Sequence, residues 1–136
     1  MLPHLRTNPK SEPQWFESLI SLARYLRTAD GCPWDREQTA ADFAKYAVEE
    51  SAEYSEACGN DDAAHMREEF GDAFFVLLAS AAAAEEEGLF TLEDALAFAH
   101  EKMVRRHDHV FGDVKAQTAE EATKAWEAAK AKEKDA

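Results

Sequence analysis

Trp15, Leu19, Leu22, Ala23 and Leu26 recur at the spacing of one helical face and predict a first helix from about Pro13 to Thr28. Asp30-Gly31-Cys32-Pro33-Trp34-Asp35 breaks that pattern, so it reads as a loop in which Trp34 supplies an anchoring surface. A second helix begins near Thr39 or Ala40 and runs to Cys58. Gly59-Asn60-Asp61-Asp62 turns the chain into a third, from about Asp61 to Glu87, which Gly88 ends. Thr91, with Asp94 three residues on, resembles a capping start for a fourth helix that reaches Arg105 or Arg106. After a loop around His107 to Asp113, the stretch from Thr118 to Lys130 is helical by composition, and the last six residues are expected to fray.

No alternating strand pattern interrupts this series, and the fold class is all-α: four main helices plus a C-terminal helix. Residues 1–12 read as a flexible N-terminal segment, and 13–134 as one domain. A length of 136 residues and a 46% hydrophobic content suit one domain with its own core. The uncharged run from Ala73 to Ala84 is about half the ~20 residues a membrane helix needs, and no export signal is visible. Membrane residence is therefore not expected. Cys32 and Cys58 form no CxxC pair, which points to a reducing cytoplasm, and Cys58 reads as a small buried filler.

Fifteen Lys and Arg against 28 Asp and Glu give a net charge of −13, which disfavours a nucleic-acid polymer as partner. The acids are also patterned. Glu49-Glu50-Ser51-Ala52-Glu53 and Glu68-Glu69-Phe70-Gly71-Asp72 each carry an i, i+3 pair on adjacent helices. At ~100° per residue Glu50 is in phase with Phe43, Tyr46, Ala47, Tyr54 and Ala57, the expected buried stripe. Two antiparallel helices would bring the pairs together, and their mutual repulsion would call for a cation. With no Cys or His among the four acids, a hard ion such as Mg²⁺ or Mn²⁺ is the apt ligand. The competing reading is a solvated, Glu-rich helix face.

Lys102, Arg105, Arg106, His107 and His109 form a local basic cluster in this acidic chain. It reads equally as a phosphate grip or as cations complementing a helix C-terminus. For the two histidines loop packing is the simpler role. Trp34 and Trp126 suit packing better than base stacking.

Together these strings, Gly31-Cys32-Pro33-Trp34-Asp35, the EExxE of 49–53, the ExxD of 69–72, and Arg105-Arg106-His107-Asp108-His109-Val110-Phe111-Gly112-Asp113, resemble the MazG family of nucleoside triphosphate pyrophosphohydrolases. The likeness runs from about Trp15 to Lys134. It implies a MazG-like helical bundle, and Mg²⁺-dependent hydrolysis, with Mn²⁺ as a substitute, of a nucleoside triphosphate to the monophosphate and pyrophosphate. By motif position it implies Glu50, Glu53, Glu69 and Asp72 as metal ligands. Glu49 would lie beside them, orienting the attacking water or holding a further ion. Lys102, Arg105 and Arg106 would meet the phosphates, and Trp126 and Lys130 would contact the nucleotide across an assembly.

Many relatives carry two such domains in tandem, so a single copy is expected to complete its core by self-association as a homodimer or homotetramer. A ferritin-like di-iron bundle is set aside, because no His follows a Glu by three residues. A pyrophosphatase specific for dUTP or a modified nucleotide, and a non-enzymatic metal- or nucleotide-binding helical protein, remain the alternatives.

Overall fold

A computed structural model describes residues 8–134, all helix, turn or loop with no strand among them. Seven helices follow one another: α1 (Glu12–Tyr25), α2 (Pro33–Glu37), α3 (Ala40–Gly59), α4 (Ala63–Glu86), α5 (Leu92–Arg106), α6 (Asp108–Phe111) and α7 (Ala119–Lys134). The all-α expectation holds, with two short helices added. Residues 1–7 of the expected flexible segment, and the last two of the chain, lie outside the described residues. Within 131–134 the expected fraying is replaced by continued helix.

Local chemistry explains most boundaries. Ser11 caps α1 by accepting from the Gln14 amide, and Pro13 sits in the first turn, where no amide partner is needed. The sequence places the end of α1 near Thr28, but the helix stops at Tyr25, whose carbonyl takes the Thr28 amide and hydroxyl. Thr39 and Asp42 form a reciprocal capping box at α3, and Asp62 caps α4 through the His65 amide. At the far end of α4, Gly88 has φ 72°. The Leu89 amide reaches the Ala84 carbonyl and the Gly88 amide that of Glu85, closing the helix in a Schellman motif.

The expected loop at Gly31 to Asp35 contains a helix, α2, because Pro33 occupies its first turn behind Cys32. Gly31 is there for space: an added Cβ would lie 2.4 Å from the Leu26 carbonyl oxygen, which accepts the Cys32 amide. Arg27 fixes the segment by donating to the carbonyls of Asp35 and Gln38 and pairing with Glu86. Trp34 packs its ring edge-on to Phe43 and tilted to Tyr46, yet stays half exposed.

The chain divides into two compact units, one through Leu92 and one from Glu93. In the first, the antiparallel hairpin of α3 and α4 dominates, with α1 against α4. Its core sets one large side chain, Phe43, against the small Ala79 and Ala83, flanked by Ala40 and Val76. Ala81 to Ala84 are all buried, and short side chains let helix backbones approach closely. The predicted stripe on α3 is only partly buried. Phe43, Ala47 and Ala57 are covered, whereas Tyr46 is exposed against Trp34 and Tyr54 packs edge-on to Phe70. Cys58 is exposed, not a buried filler, because Ala57 takes the inward position and the next residue is turned ~100° away.

The second unit comprises α5, α6 and α7, and none of its helices contains a fully buried residue. Short α6, unforeseen in the sequence, packs on α7 beside an open cavity of about 780 Å³. Polar ties carry this unit. Arg105 and Arg106 both donate to Glu133, and the Arg106 guanidinium lies 5.3 Å from the Trp126 ring centroid.

Candidate active site

On α3, Glu50 and Glu53 lie one turn apart, and on α4 Glu69 and Asp72 do the same. The antiparallel hairpin turns these pairs toward each other. One carboxylate oxygen each from Glu50, Glu69 and Asp72 lie within 4.8 Å of one another. Glu53 stands outside that set of three, and its carboxyl beside them raises both Glu50 and Glu69. Glu49 is exposed, as its position next to the inward-phased Glu50 requires.

The electrostatics match a crowd of like charges. Burial pushes the Glu50 carboxyl above the ordinary carboxylate range, and repulsion from Glu53, Asp72 and Glu69 adds to it. Glu69 is raised as well, by burial first and then by Glu53, while its hydrogen bond with His65 works the other way. Among the described residues no Lys or Arg forms an ion pair with any of the four acids. The Oε2 atoms of Glu50 and Glu69 are buried without a hydrogen-bond partner.

Orphaned carboxylate oxygens of this kind normally have a partner, and here a cation would supply it. The oxygen-only set suits a hard divalent ion such as Mg²⁺ or Mn²⁺. The residues present therefore fit a metal of that class.

The cationic residues lie in the second unit. Arg106 is largely covered, with its side chain 13% exposed, and is held by Glu133 and Trp126. Arg105, more exposed, shares Glu133, whose carboxyl its two hydrogen bonds, from Arg106 first and Arg105 second, lower to about 2. Trp126 also meets His107 edge-on, and His107 Nδ1 donates to the Met103 carbonyl. Lys102 is half-buried, and Lys130, a turn beyond Trp126, is exposed. The two histidines pack in this corner at 5.4 Å between ring centroids, in line with the loop-packing role.

Two site-related residues escaped the sequence reading. His65 bonds Glu69, and its i, i+4 spacing was the available signal, with the histidine on the N-terminal side of the acid and not after it as in Glu-x-x-His. Glu133 had no such signal, because its partners lie 27 and 28 residues away.

Known proteins resemble the chain over most of its length. The family model described as the MazG nucleotide pyrophosphohydrolase domain matches residues 38–111. The chain is 41% identical over 119 residues to the nucleoside triphosphate pyrophosphohydrolase/pyrophosphatase MazG of Thermotoga maritima, covering 88% of this chain and 45% of that one. It is 39% identical over 119 residues to the nucleoside triphosphate pyrophosphohydrolase of Escherichia coli K12, covering 87% and 45%. Likeness to Bacillus subtilis YabN, an uncharacterized protein, is 43% over 120 residues, 88% of this chain and 24% of that protein. The chain thus spans less than half the length of these curated relatives. A crystal structure of a MazG-related protein from Thermotoga maritima superposes with a TM-score of 0.71 at 32% identity, over 85% of this chain and 98% of the other. With a family match across more than half its length and a solved relative covered almost whole, the chain belongs to the MazG nucleotide pyrophosphohydrolase family.

Proposed function

We propose that the chain hydrolyses nucleoside triphosphates, ribose or deoxyribose, to the nucleoside monophosphate and pyrophosphate, with Mg²⁺ as the resident ion and Mn²⁺ as a substitute. The observation that carries this reading is the gathering of Glu50, Glu69 and Asp72 oxygens within 4.8 Å, two of those acids keeping a buried oxygen unpaired. The family membership and the names of its relatives agree with it.

Glu50, Glu53, Glu69 and Asp72 would hold the metal. Bound there, the ion would neutralise charge on the phosphoanhydride and lower the barrier to attack by water. Glu49, exposed beside the ligands, is the candidate to orient that water by accepting its hydrogen bond. Lys102, Arg105 and Arg106 offer donors to phosphate oxygens, with Trp126 and Lys130 as further nucleotide contacts. Arg105 and Arg106 are already oriented by Glu133, so little side-chain freedom remains to be lost on meeting an anion. Residues 13–134 would act as one functional domain in a reducing cytoplasm, with Cys32 and Cys58 as free thiols.

Self-association is part of the proposal. Trp15, Phe70 and Leu77 are 61%, 55% and 53% exposed on α1 and α4, apolar surface that a partner copy would cover. Light scattering is expected to give a dimer or tetramer.

The deciding assay is pyrophosphate release from a panel of canonical, deoxy, deoxyuridine and oxidised nucleoside triphosphates, with and without Mg²⁺ or Mn²⁺. Metal-dependent release, lost in Glu50→Gln, is expected. No release from any substrate, with the ion still bound in calorimetry, would overturn the enzymatic reading in favour of a binding protein.

A further inference from the structure

We propose that His65 is a positioning residue for the metal site, orienting the Glu69 carboxylate so that one of its oxygens is committed and the other is left for the ion. The inference rests on the reading of Glu69 as a metal ligand and adds a residue to it.

The geometry begins with the start of α4. Asp62 accepts the His65 amide at 3.2 Å, which fixes the first turn and places the imidazole one turn ahead of Glu69 on the same face. His65 Nε2 then lies 3.2 Å from Glu69 Oε1. An ionised carboxylate can only accept, so with Glu69 charged Nε2 is the donor and the tautomer is set. The side chain of Glu69 is 12% exposed, and its other oxygen, Oε2, is buried with no partner.

The two oxygens of Glu69 are thus in different situations: one is bonded within its own helix, the other has nothing to bind. A glutamate has three side-chain torsions, and a free one would have to lose that freedom when it takes up an ion. The His65 hydrogen bond removes much of it beforehand. Because His65 stands on the same helix as Glu69 and Asp72, the orientation is set by α4 alone and does not depend on substrate. Groups in this position behind a metal ligand typically change affinity by 10–100-fold when lost.

The test is calorimetric titration of Mn²⁺ into the substrate-free full chain, comparing wild type with His65→Phe, His65→Gln and Glu69→Gln, each checked for folding by far-UV circular dichroism. His65→Phe keeps the bulk and removes the donor, and Mn²⁺ affinity is expected to fall about 10-fold or more. His65→Gln restores a donor at the same reach and is expected to bind within a few-fold of wild type. Wild-type affinity in His65→Phe, with binding lost in Glu69→Gln, would overturn the positioning role while leaving the metal site standing. An equal loss in His65→Gln and His65→Phe would also overturn it, because the donor would then not be what matters. Unchanged binding in Glu69→Gln would instead remove Glu69 from the ligands, and the reading of the site would fail before that of His65.

Discussion

The two units of the chain handle charge in opposite ways. In the first, Glu50, Glu69 and Asp72 are gathered with Glu53 beside them, no Lys or Arg among the described residues is paired to any of the four, and two of their oxygens are buried and unbonded. In the second, Arg105 and Arg106 are matched to Glu133, and the covered one also lies on Trp126. The contrast separates binding from holding. A charge already met inside the protein stiffens it, whereas a group of like charges left unmet lowers stability until something from outside binds. The first unit can tolerate such a cluster because its core and end ties hold the hairpin independently; the second has no buried residue in its helices and relies on the ion pairs.

The largest effect expected from this contrast comes from making the same substitution in each unit. Glu50→Gln should reduce metal-dependent turnover on the order of 100-fold or more, yet raise the melting temperature in chelator because a repelling charge is gone. Glu133→Gln should do the reverse, lowering the melting temperature by releasing two arginines and costing much less turnover. Calorimetric melting curves and initial rates would check both; a fall in melting temperature for both variants would dissolve the distinction between met and unmet charge.

A smaller effect should appear with pH. Glu50 and Glu69 are raised in the folded state, so without metal their contribution is most favourable below the ordinary carboxylate range and is lost as pH rises through their raised values. Melting in chelator should therefore improve modestly as pH falls from neutral toward the ordinary carboxylate range, and saturating Mg²⁺ should help most at the neutral end. Glu133 has the opposite sign. Its folded value of about 2 means that its contribution is complete above its unfolded value, near 4.5, and is lost as pH falls from there toward 2. A profile in chelator that stays flat from neutral pH down through the ordinary carboxylate range would count against the charge crowding.

The smallest effect serves as the baseline. Glu120 and Lys124 form an i, i+4 pair on α7 with side chains 81% and 78% exposed. Lys124→Ala should leave the melting temperature essentially unchanged, because exposed pairs are screened by solvent. A drop matching that of Glu133→Gln would show that any loss of charge on α7 is felt alike.

How much of this could be read from the sequence depends on the range of the interaction. The α3–α4 hairpin was legible because Glu50 lies in phase with Phe43, Ala47 and Ala57, and because Thr39 and Asp62 are strong capping types. Helices α2 and α6 were not, since five and four residues are too short to display a helical period. Phase places Tyr46 in the core, but Trp34 supplies a surface for its ring and leaves it exposed. The meeting of Glu50, Glu69 and Asp72 followed from antiparallel helices with a short turn. The pairing of Arg105 and Arg106 with Glu133 did not, because it requires α7 to pack on α6 and so come within side-chain reach of the end of α5, which no local pattern encodes.

Three consecutive acids close α4, and each is engaged by a different neighbour: Glu85 by Arg24 and the Leu92 amide, Glu86 by Arg27, and Glu87 by the Ala40 amide. Negative charge at a helix C-terminus opposes the helix dipole, so the last turn of α4 is weak by itself. It becomes favourable only once α1, the start of α3 and the following turn are in place. The end of α4 therefore works as a cooperative lock: no single neighbour closes it, and the loss of one loosens the grip of the others, so the first unit should fold and unfold as a whole.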